Sequence, residues 1–360
     1  MKTYNKGEWS EPYILLKLIV DQKLYLGKEN FEKVENIFYR IIKIIHFESE
    51  GNTEFSFNGD IVIAKGKKES FKLPLSKFIE ICSDTLAKIG SAKVKNGSFA
   101  MPELVAFFNS INIKKIKAKS KSKNDITLQI EDPNTLITPT LGFSVKSQLG
   151  APATLVNASN ATNFVYRLTK KLDAAQIEKI NSKRLFSDKL KLIKEYNSEI
   201  IYEEVRSEKF KINLQTIDFN FHKIIADILL MYYRNDKSSK NTIELFTKEI
   251  AKQNEFKYNL SLNPEIYQMI MKRFLVEYAL GMRAGQIWKR DYQADGGYLI
   301  VREDGEVVCY HFYFIKNFEN YLYQNTKLDT PSATRYEMLN IFEEGGIQKF
   351  TLNLQIRFIN

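Results

Sequence analysis

The feature that most constrains the fold is a long helical stretch that lies between two β-rich stretches. Apolar residues recur at helical spacing through most of residues 174–280. The chain on either side is rich in β-branched and aromatic residues, and Asn58-Gly59 and Asp304-Gly305 are typical of hairpin turns. This order predicts an α+β or mixed α/β protein in which helices flank a mixed sheet.

Two neighbouring strand segments in the first half carry the polar residues of most interest. Residues 125–130 alternate as a strand that opens with Asp125, and residues 141–147 follow as the next strand. Because side chains alternate along a strand, Ser144 and Lys146 share one face of the second segment. We therefore expect Asp125 and Lys146 to lie on neighbouring strands of the sheet.

This pair suits the hydrolysis of a phosphodiester, which needs a cation held by carboxylates, an activated water and neutralised charge at phosphorus. A common nuclease arrangement has an acid on one strand and an acid-X-lysine tripeptide on the next. Asp125 fits the first part, and Ser144-Val145-Lys146 fits the second with Ser144 in the acid position. We predict that Asp125 holds the metal and Lys146 orients the attacking water. The alternative, common by chance in lysine-rich proteins, is a turn-capping Asp125 and a solvated Lys146.

A carboxylate pair near the N-terminus, Glu8 and Glu11, offers the ligand that Ser144 lacks. Ser10-Glu11-Pro12 is typical of a helix start, with a capping serine and a proline in the first turn. Both carboxylates then lie around that turn. The alternative is that their charges only complement the N-terminal end of the helix.

The charge balance favours a polyanionic partner. Lysine and arginine total 53 against 43 acidic residues, a net charge of +10. Positive charge is densest over residues 114–123, where we predict that Lys121 and Lys123 contact DNA phosphates. Charge alone leaves an alternative open, since a lysine-rich composition also follows from an AT-rich genome.

A polar loop over residues 148–163 leaves the strand of Lys146 and is rich in short amides and hydroxyls. Side-chain amides both donate to and accept from base edges in the major groove. The predicted base contacts are Gln148, Asn157, Asn160 and Asn163. The alternative is an ordinary polar loop.

Other patterns exclude several kinds of site. Cys82 and Cys309 fit no paired metal-ligand spacing. Among the scattered histidines, His222 is expected to be structural, and His311 is expected to be structural or to contact DNA. No apolar run reaches the ~18 residues of a membrane span, and residues 1–11 contain no apolar signal core. We expect a cytoplasmic protein that does not associate with a membrane.

A series of segments carries a family resemblance from one end of the chain to the other. They are Asn5-Lys6-Gly7-Glu8-Trp9-Ser10-Glu11, Gly142-Phe143-Ser144-Val145-Lys146-Ser147-Gln148-Leu149-Gly150, Thr154-Leu155-Val156-Asn157-Ala158, Thr162-Asn163-Phe164, Asp295-Gly296-Gly297-Tyr298, Tyr310-His311, Asn325-Thr326-Lys327, Thr330-Pro331-Ser332 and Leu352-Asn353-Leu354-Gln355-Ile356-Arg357-Phe358. In this order they resemble the HpaII family of type II restriction endonucleases.

The resemblance implies a PD-(D/E)XK-type core that cuts double-stranded DNA at a CCGG-like palindrome, using Mg2+ and leaving 5′-phosphates. It implies that Asp125, Ser144 and Lys146 belong to the catalytic site, with Glu8 or Glu11 as the extra carboxylate. The expected Mg2+ ligands are Asp125, the backbone carbonyl of Val145, and Glu8 or Glu11.

Other enzymes that read CCGG-related sites resemble this chain in having a Ser-X-Lys tripeptide, with the acid on a downstream helix. The first downstream acids here are Asp173 and Glu178, and we favour the N-terminal glutamates over them. The chain departs from the family at Tyr336, where a histidine is expected after Arg335. We expect Arg335 to contact DNA, so this departure bears on target specificity.

The resemblance also sets the expected organisation. Residues 1–170 are expected to form the nuclease core, and residues 171–360 a helical and C-terminal β region for DNA recognition or dimerisation. A homodimer and a cognate DNA methyltransferase encoded nearby are the expected partners besides DNA. Two alternatives stay open: a non-catalytic basic nucleic-acid-binding protein, and a helical interaction protein whose basicity is incidental.

Overall fold

The computed structural model describes residues 2–48, 51–92, 97–114, 125–133, 135–234, 241–292 and 294–359. Its helices are α1 (Lys6–Asp21), α2 (Leu75–Ser91), α3 (Pro102–Ser110), α4 (Ala174–Asn181), α5 (Phe186–Glu195), α6 (Glu208–Ile217), α7 (Phe221–Arg234), α8 (Ile243–Gln253), α9 (Ile266–Leu280) and α10 (Ile315–Gln324). Its strands are β1 (Lys23–Gly27), β2 (Lys33–Phe47), β3 (Asn52–Asn58), β4 (Ile61–Lys65), β5 (Ser70–Pro74), β6 (Ile126–Glu131), β7 (Thr140–Ser147), β8 (Thr154–Val156), β9 (Asn163–Leu168), β10 (Ile200–Val205), β11 (Gly297–Val301), β12 (Val307–His311), β13 (Thr326–Leu328), β14 (Phe342–Glu344), β15 (Ile347–Asn353) and β16 (Ile356–Phe358). The α+β class predicted from the sequence is confirmed.

Contacts divide the described part of the chain into two compact units. Unit 1 comprises residues up to 153 together with residues 292–321, and unit 2 comprises residues 154–291 and 322–359. These limits differ from the expected ranges 1–170 and 171–360. The reason is strand pairing: β9 pairs with β10 and β15 in unit 2, whereas β11 pairs with β7 in unit 1.

Unit 1 is built on a mixed sheet with the strand order β1-β12-β11-β7-β6-β2-β3-β4-β5, in which β1 also pairs with β2. The β3–β4 and β11–β12 hairpins form at the predicted turns, where Gly59 and Gly305 adopt positive φ. Helix α1 packs against α2, and its buried Trp9 and Leu16 belong to the unit's hydrophobic core. This core fixes the sheet that carries β6 and β7.

The pairing of β11 with its two neighbours depends on a pair of glycines: Gly296 lies against β7 and Gly297 against β12. A Cβ on Gly297, whose φ is +100°, would overlap the backbone oxygen of Tyr310. A Cβ on Gly296 would lie 2.5 Å from the ring of Phe143. Only glycine allows this close approach, and the resulting register sets Tyr298 opposite Ser144 and Ile300 opposite Lys146.

Unit 2 contains the sheets β10-β9-β15-β14 and β13-β16-β8 together with helices α4 to α9. The stretch predicted to be mostly helical is interrupted by β10, and the β-rich chain near the C-terminus forms two separate strands, β15 and β16. The division has a physical cause, because β15 pairs with β9 and β14 whereas β16 pairs with β13 and β8. Among the described residues, no helix is both long enough and apolar enough to cross a bilayer.

Candidate active site

Asp125 lies at the point where β6 begins and turns its carboxylate onto the backbone of β7. Its backbone N–H donates to the carbonyl of Phe143 at 2.9 Å. Its Oδ2 atom accepts from the backbone N–H of Val145 at 2.7 Å and from the hydroxyl of Ser144 at 3.1 Å. The carboxylate thereby takes the place of a ladder acceptor where β6 begins, and no described residue donates a hydrogen bond to Oδ1.

Lys146 lies on the same face of β7 as Ser144, close to the Asp125 carboxylate. Its Nζ atom is 5.4 Å from the centroid of the Tyr298 ring. The residue retains some exposed surface, but its ammonium lies deep enough that desolvation lowers the pKa, while the charges of Asp125 and Glu11 act in the opposite direction. The ammonium therefore lies near a ring face and within the electrostatic influence of two carboxylates.

Tyr298 completes this group and had no role assigned from the sequence. It is 1% exposed, and its side chain is hydrogen-bonded to that of Ser144. Burial first, and the nearby Asp125 charge second, raise the pKa of its phenol well above the ordinary value. A neutral phenol thus connects to Asp125 through Ser144 and presents its ring to Lys146. The sequence signal was the Gly296-Gly297 pair, which is needed wherever the following residue must approach a neighbouring strand.

The two N-terminal glutamates have different environments because α1 begins earlier than predicted. Its N-cap is Asn5 rather than Ser10, and Pro12 lies inside the helix. Glu8 forms a capping box: its Oε2 accepts from the backbone N–H of Asn5 at 3.0 Å, and its own N–H donates to Asn5 Oδ1 at 2.9 Å. Glu11 is the one whose charge acts on Lys146. Glu11 is thereby linked electrostatically to the Asp125–Lys146 group.

The start of α1 is joined to the end of β7. The hydroxyls of Ser10 and Ser147 are hydrogen-bonded at 2.7 Å. Gly150 allows a close approach to the helix, because a Cβ there would lie 3.0 Å from the backbone nitrogen of Gly7. These contacts fix the helical turn that carries Glu11 next to the strand that carries Lys146.

The donor set fits a magnesium ion better than a fully protein-enclosed metal. Within the described ranges, no cluster of three or more His, Cys, Asp or Glu side chains could hold a metal. Mg2+ usually takes one or two carboxylates and completes its shell with waters and substrate phosphate. Asp125 and Glu11 meet that requirement, and the predicted carbonyl ligand belongs to Val145, whose N–H is already fixed by Asp125. A structural zinc site would need more protein ligands.

The predicted base-reading loop spans the limit between the units. Gln148 is in unit 1, where its backbone N–H donates to Val301 O at 2.8 Å. Asn157 and Asn160 are exposed in unit 2. Asn163 is 5% exposed at the start of β9, where its amide donates to Tyr336 O at 3.0 Å and accepts from Asn353 at 2.7 Å. Because β9 pairs with β15 there, the Asn163 amide holds strands together and is not presented at the surface.

The remaining predicted DNA contacts are Lys121, Lys123 and Arg335. Both lysines lie outside the described residues, as does most of the lysine-rich stretch. Arg335 is exposed in a turn, where its backbone N–H donates to the hydroxyl of Ser332 at 3.3 Å. The downstream acid Asp173 caps α4 in unit 2 through a capping box with Gln176.

The buried histidines have structural surroundings, as expected. His222 Nδ1 is hydrogen-bonded to the Tyr202 hydroxyl at 2.8 Å, and His311 Nδ1 accepts from the backbone N–H of Tyr313 at 3.0 Å. Burial lowers the pKa of each imidazole to about 4. Both rings are neutral at physiological pH and pack in the interior.

Comparison with known proteins gives a consistent result over nearly the whole chain. The model of the HpaII restriction endonuclease family matches residues 5–358. A relative from Haemophilus parainfluenzae, described as Type II restriction enzyme HpaII, is 42% identical over 359 residues, which is 99% of this chain and 98% of the relative. No solved structure matches the chain.

Proposed function

The chain belongs to the HpaII restriction endonuclease family, and from that premise we propose that its active site is the Asp125–Lys146 group of unit 1. The enzyme is a type II restriction endonuclease, a hydrolase that cuts DNA at specific sites. The finer proposal is a PD-(D/E)XK-type core that uses Mg2+, cuts within a CCGG-like palindrome and leaves 5′-phosphates. The observation that carries it is the convergence of Asp125, Glu11 and Lys146 beside Ser144 and Tyr298.

Each side chain has a role that follows from its contacts. Asp125, whose Oδ2 is oriented by Val145 and Ser144, and Glu11 are the carboxylates that would hold the cation. Mg2+, when bound there, supplies charge neutralisation at the phosphate and lowers the pKa of a bound water. Lys146 places a positive charge where the attacked phosphate gains negative charge, which stabilises the transition state. Water adds to phosphorus and the bond to the 3′-oxygen breaks, so that the 5′-phosphate remains on the other product.

Ser144 replaces the acid of the usual tripeptide and is assigned a positioning role. It is 2% exposed, donates to Asp125 and is hydrogen-bonded to Tyr298. A carboxylate in its place would put a second negative charge against Asp125 in a buried position, which is costly. Moving the second carboxylate to Glu11 on α1 supplies the metal ligand without that cost. Glu8 is reassigned to capping α1.

Recognition is proposed to involve unit 2 and the loop that enters it. Gln148, Asn157 and Asn160 stay candidates for base contacts, with Arg335 as a further contact. Asn163 is withdrawn from that set because its amide is used inside unit 2. A palindromic target and cleavage of both strands favour a homodimer, which analytical ultracentrifugation with and without target duplex would test. A methyltransferase encoded nearby would protect the host's own sites.

The central experiment is digestion of plasmid DNA with the purified protein and Mg2+. Discrete bands, lost on chelation and restored by Mg2+, are expected, and sequencing the fragment ends gives the target and the phosphate position. A smear, or salt-sensitive binding with no Mg2+-dependent nicking, would support the alternative of a non-catalytic nucleic-acid-binding protein. No salt-dependent DNA affinity would support an interaction protein.

A further inference from the structure

A basic cleft in unit 2 lies apart from the residues assigned to cleavage. The cavity has a volume of about 540 Å3. Four cationic side chains line it: Lys183, Arg184, Lys189 and Arg206. Glu337 is the carboxylate among its lining residues, and Arg206 is ion-paired with Glu344 at 3.2 Å. The lining therefore carries an excess of positive charge that points to an anionic ligand.

Lys189 is the unusual member of this set. It is 3% exposed, and its Nζ atom donates to Asn340 Oδ1 at 2.7 Å and to the backbone oxygen of Asn181 at 3.3 Å. Among the described residues, neither a hydrogen bond nor an ion pair joins it to a carboxylate. Charged groups that are buried are normally paired, and an ammonium has three donors. A buried cation with neutral partners and a donor to spare is suited to receive an anion.

Three of the cleft's cations lie close together in sequence around the start of α5. Lys183 and Arg184 precede the helix, and Lys189 is its fourth residue. Residues 185–188, which include Asp188 in the first turn, are not among the residues that line the cleft. The positive charge of the cleft therefore comes from side chains.

The opposite wall of the cleft is held in shape before any ligand binds. Glu337 and Leu339 adopt positive φ values of 50° and 71°, uncommon for residues other than glycine. The Leu339 N–H donates to Thr351 O at 2.9 Å, and Asn181 binds both backbone groups of Ile341, at 2.8 and 3.0 Å. Strain maintained by such bonds is typical of binding sites, since it orients the wall in advance.

We propose that this cleft binds a backbone phosphate of the DNA substrate, with Lys189 as the buried anchor and Lys183 and Arg184 at the rim. The inference rests on the proposed function, because it takes DNA as the ligand. The same chemistry would also accept free phosphate, so the test separates the two sources. A phosphate contact would position unit 2 on the duplex without selecting a sequence.

The test measures binding of full-length protein to target and scrambled duplexes in Ca2+ over a range of salt concentrations. The variant Lys183→Ala/Arg184→Ala removes two exposed rim cations, and the matched control Lys248→Ala/Lys252→Ala removes two exposed lysines of α8 in the same unit. Each lost phosphate contact lowers the slope of log K against log salt by about 0.9. For the rim variant we expect the slope of log K against log salt to become shallower by about 2 on both duplexes. For the control variant we expect less than half of that change.

Lys189→Met tests the anchor itself, with its melting temperature measured first to establish that it folds. We expect weaker binding to both duplexes at low salt and a slope reduced relative to wild type. Equal slopes for wild type, rim variant and Lys189→Met would overturn the proposal. A second result would also overturn it: inorganic phosphate raises the melting temperature of wild type but not of Lys189→Met, while the DNA slopes of the three proteins stay equal. The ligand of the cleft would then be free phosphate. Plasmid cleavage with Mg2+ is measured in parallel. If the wild-type protein does not cleave, the proposed function is refuted whatever the salt slopes are.

Discussion

Two lysines of this enzyme, Lys146 in unit 1 and Lys189 in unit 2, are both desolvated but have opposite surroundings. Desolvation lowers the pKa of each. Lys146 faces the charges of Asp125 and Glu11 and the ring of Tyr298. Lys189 faces the neutral oxygens of Asn340 and Asn181. The desolvation is shared, so the difference in chemistry comes from what surrounds each cation.

Carboxylates beside a lysine make a site that binds a metal and a phosphate together, because the cation and the anions are held apart at fixed positions. A lysine whose partners are neutral amide and carbonyl oxygens keeps its positive charge unbalanced, which favours an anion over a metal ion. Cleavage is thus assigned to the first site and docking to the second. Single substitutions can remove, one at a time, the features that distinguish the Lys146 site from the Lys189 site.

The largest effect is expected from Asp125→Asn, which removes the carboxylate proposed to bind the metal while keeping an oxygen for Val145 and Ser144. A neutral amide is a poor ligand for a hard cation. The several kcal/mol that a metal supplies correspond to a loss of roughly 10³-fold in cleavage rate. Single-turnover plasmid cleavage measures it, and Asp188→Asn in α5 is the matched control in unit 2. Cleavage near the wild-type rate would mean that the metal is held elsewhere.

A loss of ~10²-fold or more is expected from Lys146→Met, which removes the cation that faces the phosphate. Specific binding in Ca2+ should be largely kept, because the phosphate and base contacts of other residues remain. Rates at saturating DNA are compared with those of Lys252→Met, an exposed lysine of α8. If the two variants cut equally well, Lys146 has no catalytic role.

Glu11→Gln and Glu8→Gln sharpen the assignment of the second carboxylate. Glutamine at position 8 can still accept from Asn5, since a capping box functions with either residue, so little change is expected there. Glu11→Gln should lower the rate by roughly 10-fold, about 1.4 kcal/mol, and raise the Mg2+ concentration needed for half-maximal cleavage. The reverse order of effects would assign the ligand to Glu8.

A smaller effect is expected from Tyr298→Phe, which keeps the ring near Lys146 but removes the hydroxyl bound to Ser144. A net hydrogen bond contributes about 1 kcal/mol, so kcat should fall about fivefold with little change in KM. Tyr298→Leu also removes the ring face, and should displace the pH–rate profile relative to Tyr298→Phe. Identical profiles for the two variants would show that the ring does not influence Lys146.

The last prediction concerns stability and needs only unfolding measurements. Because the folded-state pKa of Lys146 is lowered from its usual 10.5, the unfolded chain binds more protons between the two values. Wild-type stability therefore rises with pH across that window. Below the window, the folded state bears the full free-energy cost of burying the protonated Lys146. Lys146→Met should have a higher free energy of unfolding at neutral pH, with the difference shrinking towards pH 10.5. If Lys146→Met is less stable than wild type at pH 7 and also at higher pH, the lowered pKa of Lys146 is contradicted.

Local patterns predicted the strands of the active site and the proximity of Asp125 and Lys146, because alternation and adjacency in sequence suffice for β6 and β7. The start of α1 was misplaced because Ser10-Glu11-Pro12 imitates a helix start, although Asn5 and Glu8 offered a capping box three residues apart. The site roles themselves stay predictions until the variants are measured.

Other features depend on contacts between distant parts of the chain. Tyr298 reaches Ser144 through a parallel pairing that no local periodicity encodes. β10 was missed although Ile200, Ile201 and Tyr202 favour strands, because helical patterns surround it. The unit 2 cleft combines residues near 183 with residues near 340, and a single sequence contains no signal that joins them.

The insertion of β11 and β12 between β7 and β1 has a consequence for biosynthesis. Residues 154–291 of unit 2 must be synthesised before residues 292–321 can enter the sheet of unit 1. Pairing of such sequence-distant strands is intrinsically slow. A nascent chain that ends before residue 297 lacks β11, the parallel neighbour of β7. The sheet around Lys146 and Ser144 is therefore completed only after most of the polypeptide has been synthesised, and for a restriction endonuclease this order would delay assembly of the proposed active site to the end of translation.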